Sequence, residues 1–348
     1  MKREPSQTRR LLLAGALSAA SMAWADDARA PLRMAFVSHA PDSDVWWNVV
    51  RNAIKHASED FGVEVDYLNP SDGSIAGMVK ILDGLDASRY VGVISTIADY
   101  TKLSPALMAL RERKLPLITV NSGSEAQSES VGAILHIGQP EFIAGKAAGQ
   151  EMAKLGAHSF ICFNHYPSNP ASTERCEGFL AGLGEQGRMT VVPLTGDSAG
   201  NQATVAAALQ KTPGADVFLA LGPTSAHPVL AASRLVKSGK VPPLVSFDIS
   251  PDIVAGIRSG SVLFSIDQQP YRQGYLSVAL MAQVVRWPKG TSVMALKMAV
   301  YSNAVLHQRM SRYGLSLRSG DTRHVHSGPG FVNRINVDKV ERFSGQFR

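Results

Sequence analysis

The chain has 348 residues, 45% of them hydrophobic and 18% charged, with a formal net charge of +6. At about 150 residues per domain that length suggests two domains, and the apolar share excludes a disordered, collagenous or coiled-coil chain. Two cysteines exclude a disulfide-dense scaffold and a multi-cysteine zinc protein.

Met1-Lys2-Arg3 and Arg9-Arg10 precede an apolar run from Leu11 to about Ala23, and Ala23-Trp24-Ala25 is followed by Asp26-Asp27. A basic stretch, a short apolar run and an Ala-x-Ala site make a cleavable export signal. The run is shorter than the roughly 20 residues that span a bilayer. Thr8–Leu13 also resembles a twin-arginine signal, and no cysteine stands at the cleavage site to carry a lipid. Cleavage after Ala25 leaves 348 − 25 = 323 residues and lowers the balance from 35 − 29 = +6 to 31 − 28 = +3. No later stretch is apolar enough to span a membrane, so a soluble mature chain is expected. No basic run with interleaved aromatics is present, so nucleic acid is not an expected partner.

After the leader, short apolar runs alternate with amphipathic stretches. Leu32–Ser38 reads as a buried strand. Trp47, Val50, Ile54, Ala57 and Phe61 then recur at spacings of three and four, one face of a helix that Gly62 stops. Strands are expected at Val63–Leu68, Tyr90–Ser95, Leu115–Val120 and Val131–Ile137, with a helix over Thr101–Arg113. The rhythm resumes with helices over about Glu141–Leu155 and Ser172–Leu183. Further strands are expected at Ser159–Phe163, Thr190–Leu194, Asp216–Leu221, Leu244–Phe247 and Val262–Ile266. Pro270–Trp287 reads as a helix, Thr291–Leu317 as partly helical, and Asn336–Phe343 as a last short helix. About ten strands alternating with helices imply parallel sheets, and too many strands for one open sheet. The expected architecture is therefore α/β, two doubly wound Rossmann-like lobes joined by crossing hinge strands. The first lobe is expected over 31–138 plus about 270–300, the second over 139–269 plus about 301–348.

In such sheets ligands bind beyond the carboxyl ends of the strands. Asp44-Val45-Trp46-Trp47 follows the first strand, where an indole could wall a cleft against the C–H face of a sugar ring. Polar residues recur at the other ends: Ser95, Asn121-Ser122, Gln139, Arg175, Asp248 and Gln268. Singly each could be a cap or loop residue. Together they form converging donors and acceptors with few unpaired formal charges, which suits a neutral polyhydroxy ligand. Arg175 and Asp248 could each engage adjacent hydroxyls in pairs.

These motifs carry a resemblance. Asp44-Val45-Trp46-Trp47, Thr173-Glu174-Arg175-Cys176-Glu177-Gly178-Phe179, Ser246-Phe247-Asp248-Ile249-Ser250-Pro251-Asp252 and Ile266-Asp267-Gln268-Gln269-Pro270 stand in order. Over about residues 32–290 the chain resembles the type I periplasmic sugar-binding proteins, the ribose-binding-protein-like family that feeds ABC importers. The resemblance implies a periplasmic protein without cofactor or catalysis, holding a sugar or sugar alcohol and handing it to an ABC permease. A sensor kinase or chemoreceptor is an alternative partner. It implies stacking by Trp46 and Trp47 and hydroxyl contacts from Asp44, Arg175, Asp248 and Gln268; Ser95 and Gln139 fall at contact positions by register. Asn121-Ser122 stands where the family often has Asp-Arg, and Gly222-Pro223 followed by Thr224 where it often has Asn-Asp. Both departures bear on which sugar is bound.

Two other signals compete. Gly196-Asp197-Ser198-Ala199-Gly200 matches the nucleophile elbow of α/β-hydrolases, with Asp248 and His307 following in triad order. No oxyanion motif of the His-Gly-Gly kind precedes it, and the same residues read as a turn and cap. His324-x-His326 lacks a third metal ligand at useful spacing and reads as a solvated surface pair. A repressor of the same fold would carry a DNA-binding helix pair where this chain has its leader. Cys162 and Cys176 are expected as two separate buried thiols, although export permits a bridge.

Overall fold

In Leu32–Val37 the last four residues are each fully shielded from solvent, a pattern open only to a strand covered on both faces. The computed structural model describes residues 32–44, 46–167, 169–195, 197–211, 214–236, 241–315, 317 and 322–348, and the expected leader lies outside them. The chain runs β1 (Leu32–Val37), α1 (Trp47–Phe61), β2 (Val63–Leu68), α2 (Ile75–Asp83), β3 (Gly92–Ser95), α3 (Tyr100–Glu112), β4 (Leu117–Val120), α4 (Glu125–Ser130) and β5 (His136–Gly138). It continues with α5 (Glu141–Lys154), β6 (Ser159–Asn164), α6 (Pro170–Leu183), β7 (Arg188–Pro193), α7 (Ser198–Lys211), β8 (Val217–Ala220), α8 (Pro223–Arg234), β9 (Leu244–Phe247), α9 (Pro251–Ser259) and β10 (Val262–Asp267). It ends with α10 (Pro270–Arg286), α11 (Val293–Tyr301), α12 (Ala304–Arg312), β11 (Val325–His326), β12 (Gly330–Asn333) and α13 (Val337–Glu341).

The strands form two sheets with the same winding: β11-β5-β4-β3-β1-β2 and β12-β10-β9-β8-β6-β7. Every pairing is parallel except that of β12 with β10. Each sheet carries an apolar core on both faces, as a doubly wound lobe requires. The chain passes between the lobes at Gln139-Pro140, Gln268-Gln269 and Ser327–Pro329. Each passage is only two or three residues long, and the first two leave from the carboxyl ends of β5 and β10. The carboxyl edges of both sheets therefore face the crossings. Gln273 on α10 is fully buried and ties two crossings together: its Nε2 donates to Gln268 O at 3.1 Å and to Ser327 Oγ at 3.0 Å. Ser327 N–H also donates to Gly138 O at 2.9 Å.

Several expectations need correction. The tail beyond 301 does not all join the second lobe. Leu306, Met310, Tyr313, Leu315 and Val325 lie in the first lobe's core, because α11 and α12 lie with α10 on the first sheet and β11 extends that sheet. Only β12 and α13 go with the second sheet. The strand expected over 131–137 begins only at His136, because Ser124 caps the short helix α4 with a reciprocal side-chain box and Gly132 turns the chain at φ 76°. Cys162 and Cys176 are not separate thiols; they form a disulfide with their Cα atoms 6.3 Å apart, inside the bridging limit of about 7 Å. His324 and His326 are not a solvated pair. β11 brings them against α4, where His324 Nε2 lies 3.3 Å from Glu129 and His326 Nε2 2.7 Å from Glu125. His324 Nδ1 accepts the His136 N–H, which leaves Nε2 as the donor facing the glutamate.

Candidate functional site

The polar residues at the carboxyl edge of the second sheet gather around Arg175. Asn169 caps α6 and Pro170 opens it, so Arg175 lies in the second turn. α6 packs on α5 at backbone contact. A Cβ on Gly178 would stand 2.2 Å from Phe142 O, and one on Gly145 2.2 Å from Arg175 O. Only glycine at these positions allows that approach, which brings Glu141 in the first turn of α5 onto Arg175. The pair is bidentate, Nε to Oε2 at 2.7 Å and Nη2 to Oε1 at 2.8 Å, with both residues over nine-tenths buried. Nη1 donates to Leu221 O at 2.7 Å, and the guanidinium lies 4.5 Å above the Phe247 ring.

Asp248 follows β9 with a left-handed φ of 61°, a backbone strain that places its carboxylate at the same edge. Gln268 Nε2 donates to both of its oxygens, at 2.8 and 3.0 Å. Burial pushes the Asp248 carboxyl up to about 7, against the opposing pull of Arg175 and Gln268. His165 follows β6; a Cβ on Gly222 would lie 3.2 Å from its Cε1 and 3.7 Å from Asp248 Oδ2, so both groups flank that glycine. Burial, then the Arg175 charge, lowers His165 to about 4.

The first lobe mirrors this edge. His39 follows β1 as His165 follows β6, at the point where strand order reverses in each sheet. Its Nδ1 is 3.0 Å from Thr96 Oγ1, and burial lowers it to about 4. Trp46 is half-buried and meets Trp47 edge-on at 5.2 Å. Asp44 is half-buried and accepts the Trp46 N–H at 3.0 Å; burial raises its carboxyl, opposed by that bond and by Arg51.

Of the residues singled out from sequence, the structure brings Arg175, Asp248 and Gln268 together, with Gln139 bonded to Glu141 at 2.8 Å. Asp44 and Trp46 lie at the opposing edge. Four depart from the expected arrangement. Trp47 is 3% exposed and belongs to the first core, because the α1 stripe that includes it faces the sheet. Ser95 is fully buried, its hydroxyl donating to Thr96 O. Asn121 has a left-handed φ of 64° and turns its amide to Gln273, so it serves the crossings. Thr224 is exposed in the first turn of α8. Sequence reading missed Glu141, His165 and Gln273. His165 directly follows the strand expected at 159–163 and was open to the strand-end rule. Glu141 reads as an ordinary acidic first turn, and only the α5–α6 contact reveals its partner.

The elbow-like segment holds no triad. Asp197 Oδ1 accepts the Gly200 N–H at 2.8 Å as a cap of α7. Ser198 starts α7 on the second lobe, whereas His307 lies on α12 on the first, its Nε2 2.6 Å from Tyr301 O. Among the described residues no helix is long and apolar enough to cross a membrane.

Comparison with known proteins agrees with this geometry. Residues 34–289 match the family model described as a periplasmic binding protein domain. A carbohydrate transporter from Acidothermus cellulolyticus 11B, solved in complex with myo-inositol, is similar at 24% identity and TM-score 0.73, covering 91% of this chain and 99% of that one. The arabinose binding protein AraP from Geobacillus stearothermophilus is similar at 20% identity and TM-score 0.67, covering 88% and 98%. A solute binding protein from Burkholderia graminis C4D1M, in complex with D-arabinose, is similar at 16% identity and TM-score 0.67, covering 88% and 96%.

Proposed function

The chain belongs to the periplasmic binding protein family, and we propose that it is the solute-binding component of an ABC importer for a neutral sugar or sugar alcohol. The family is one of binding proteins, so its work is capture and release. The observation that carries the reading is the set of buried polar groups beside the crossings: Arg175 paired with Glu141, Asp248 held by Gln268, and Gln139. Ring hydroxyls supply both donors and acceptors, as this mixed set requires. Trp46, on the facing lobe, offers an aromatic face to the apolar side of a sugar ring.

Closure follows from the same parts. Ligand held by Asp248 and Arg175 on one lobe and by Asp44 and Trp46 on the other favours the arrangement in which both lobes reach it. The short crossings absorb the rotation, and the changed outer surface is what a permease recognises. The myo-inositol and D-arabinose held by similar proteins set the first compounds to try. A thermal-shift screen with myo-inositol, D-arabinose, D-glucose and D-galactose tests the reading, because a ligand that binds only the folded state raises the melting temperature. A shift with a neutral polyol is expected. No shift with any of them, together with a shift from a charged solute, would overturn the reading.

A further inference from the structure

Arg175 is a permanent cation at the carboxyl edge of the second sheet, 8% exposed. Such a fork would pair readily with a carboxylate or phosphate on a ligand. Glu141 already occupies that edge of the fork, through two bonds of 2.7 and 2.8 Å. Glu141 is itself fixed: Gln139, on the first crossing, donates to its Oε2 at 2.8 Å. Three of the five guanidinium N–H groups are taken by Glu141 and Leu221 O, and the other two have no partner among the described residues.

We infer that Glu141 is the residue that makes this cleft select neutral over acidic sugars, positioning Arg175 while cancelling its charge. The inference rests on the sugar-binding reading and deepens it. An acidic ligand reaching Arg175 must displace Glu141 or lie beside its carboxylate and that of Asp248, so exclusion is built in as repulsion. A neutral sugar hydroxyl can accept from the remaining N–H groups without that conflict. Removing the Glu141 charge leaves the buried cation without its hydrogen-bonded counter-ion, with Asp248 acting on it only through space, and a uronate carboxylate becomes the natural replacement.

The test compares wild type with Glu141→Gln by calorimetry and thermal shift, using D-glucuronate and D-galacturonate as acidic probes and the neutral polyols above. In Glu141→Gln the acidic probes are expected to bind at least tenfold tighter than to wild type, and the neutral ligand at least tenfold weaker. Adding Arg175→Gln to Glu141→Gln should abolish the gained uronate binding. Unchanged preference in the single variant, or uronate binding that survives loss of Arg175, overturns the inference. Should Glu141→Gln not melt cooperatively, Glu141→Asp serves instead. It keeps the charge on a shorter arm, so neutral affinity should fall tenfold with uronates still rejected; wild-type affinity there refutes the positioning role. The uronate gain is read against wild type, so it stands apart from the identity of the neutral ligand. Wild type that itself binds uronates overturns the selectivity, whereas wild type that binds no sugar while Glu141→Gln gains uronates overturns only the neutral-sugar reading.

Discussion

Replacing Asp248 by Asn separates the cost of the site from its use. Burial raises the Asp248 carboxyl from 3.8 to about 7, so the folded protein holds this proton more tightly than the unfolded chain. At about 1.4 kcal/mol per unit, the shift corresponds to roughly 4 kcal/mol. The sign follows from linkage: between pH 4 and 7 the folded state binds more protons, so stability falls as pH rises through that window. Above pH 7 the full cost is present; below pH 4 none is. Asp248→Asn cannot ionise, and Gln268 can turn its amide to meet the new side chain. The variant should therefore gain up to about 4 kcal/mol on wild type at pH 8, and little at pH 4. Urea denaturation across that range measures the difference. Sugar affinity at pH 8 should fall well over tenfold, since a hydrogen bond to a charged group is worth about 1.5–3 kcal/mol. A variant whose stability runs parallel to wild type from pH 4 to 8 would refute the argument that Asp248 is a buried, strained charge.

Three further perturbations test the geometry. Trp46→Ala should weaken sugar binding about tenfold with modest loss of stability, whereas Trp47→Ala should cost about 3–5 kcal/mol of stability as a core truncation; calorimetry and urea melts of the pair decide, and the reverse pattern would return Trp47 to the cleft. Gly178→Ala places a methyl 2.2 Å from Phe142 O, forcing α5 from α6; about 1–3 kcal/mol of stability and much of the ligand affinity should be lost together, and a wild-type melt would contradict the close packing. Changing both Cys162 and Cys176 to Ala opens a link of sequence separation 14 and should cost about 3 kcal/mol by denaturant unfolding, an unchanged midpoint counting against the bridge.

What could be read from sequence follows from the range of each signal. The α1 stripe and the buried run of β1 are local patterns, so their positions were legible, as was the repeated winding. The placement of α11 and α12 was not, because an apolar segment does not say which of two cores it will cover. The strand-end rule found Arg175, Asp248 and Gln268, which converge. The same rule also picked out Ser95, Asn121 and Thr224, since it reports position along the chain and not where a side chain turns. The disulfide was open for the same reason: a separation of 14 fits both a strand and helix in contact and a pair held apart.

The charge balance of the site was the least legible property, because it depends on partners far apart in sequence. Glu141 and Arg175 are 34 residues apart, and their meeting requires four glycines, Gly145, Gly149, Gly178 and Gly182, that let two helices touch backbone to backbone. Asp267, beside Asp248, has a still more distant partner. Residues 343–348 return from α13 to the first lobe. There Phe347 stacks on Tyr313 at 4.3 Å, and the Arg348 guanidinium reaches Asp267 Oδ2 at 2.8 Å. Asp267 is one of the charges that raise Asp248. Arg348 meets Asp267 at the crossing as Glu141 meets Arg175, and the Arg175 charge also acts on Asp248 through space. The charge pairing at this edge is thus assembled from residues far apart in the chain, with Gln139 of the first crossing and Asp267 beside the second taking part, and no single motif carries it.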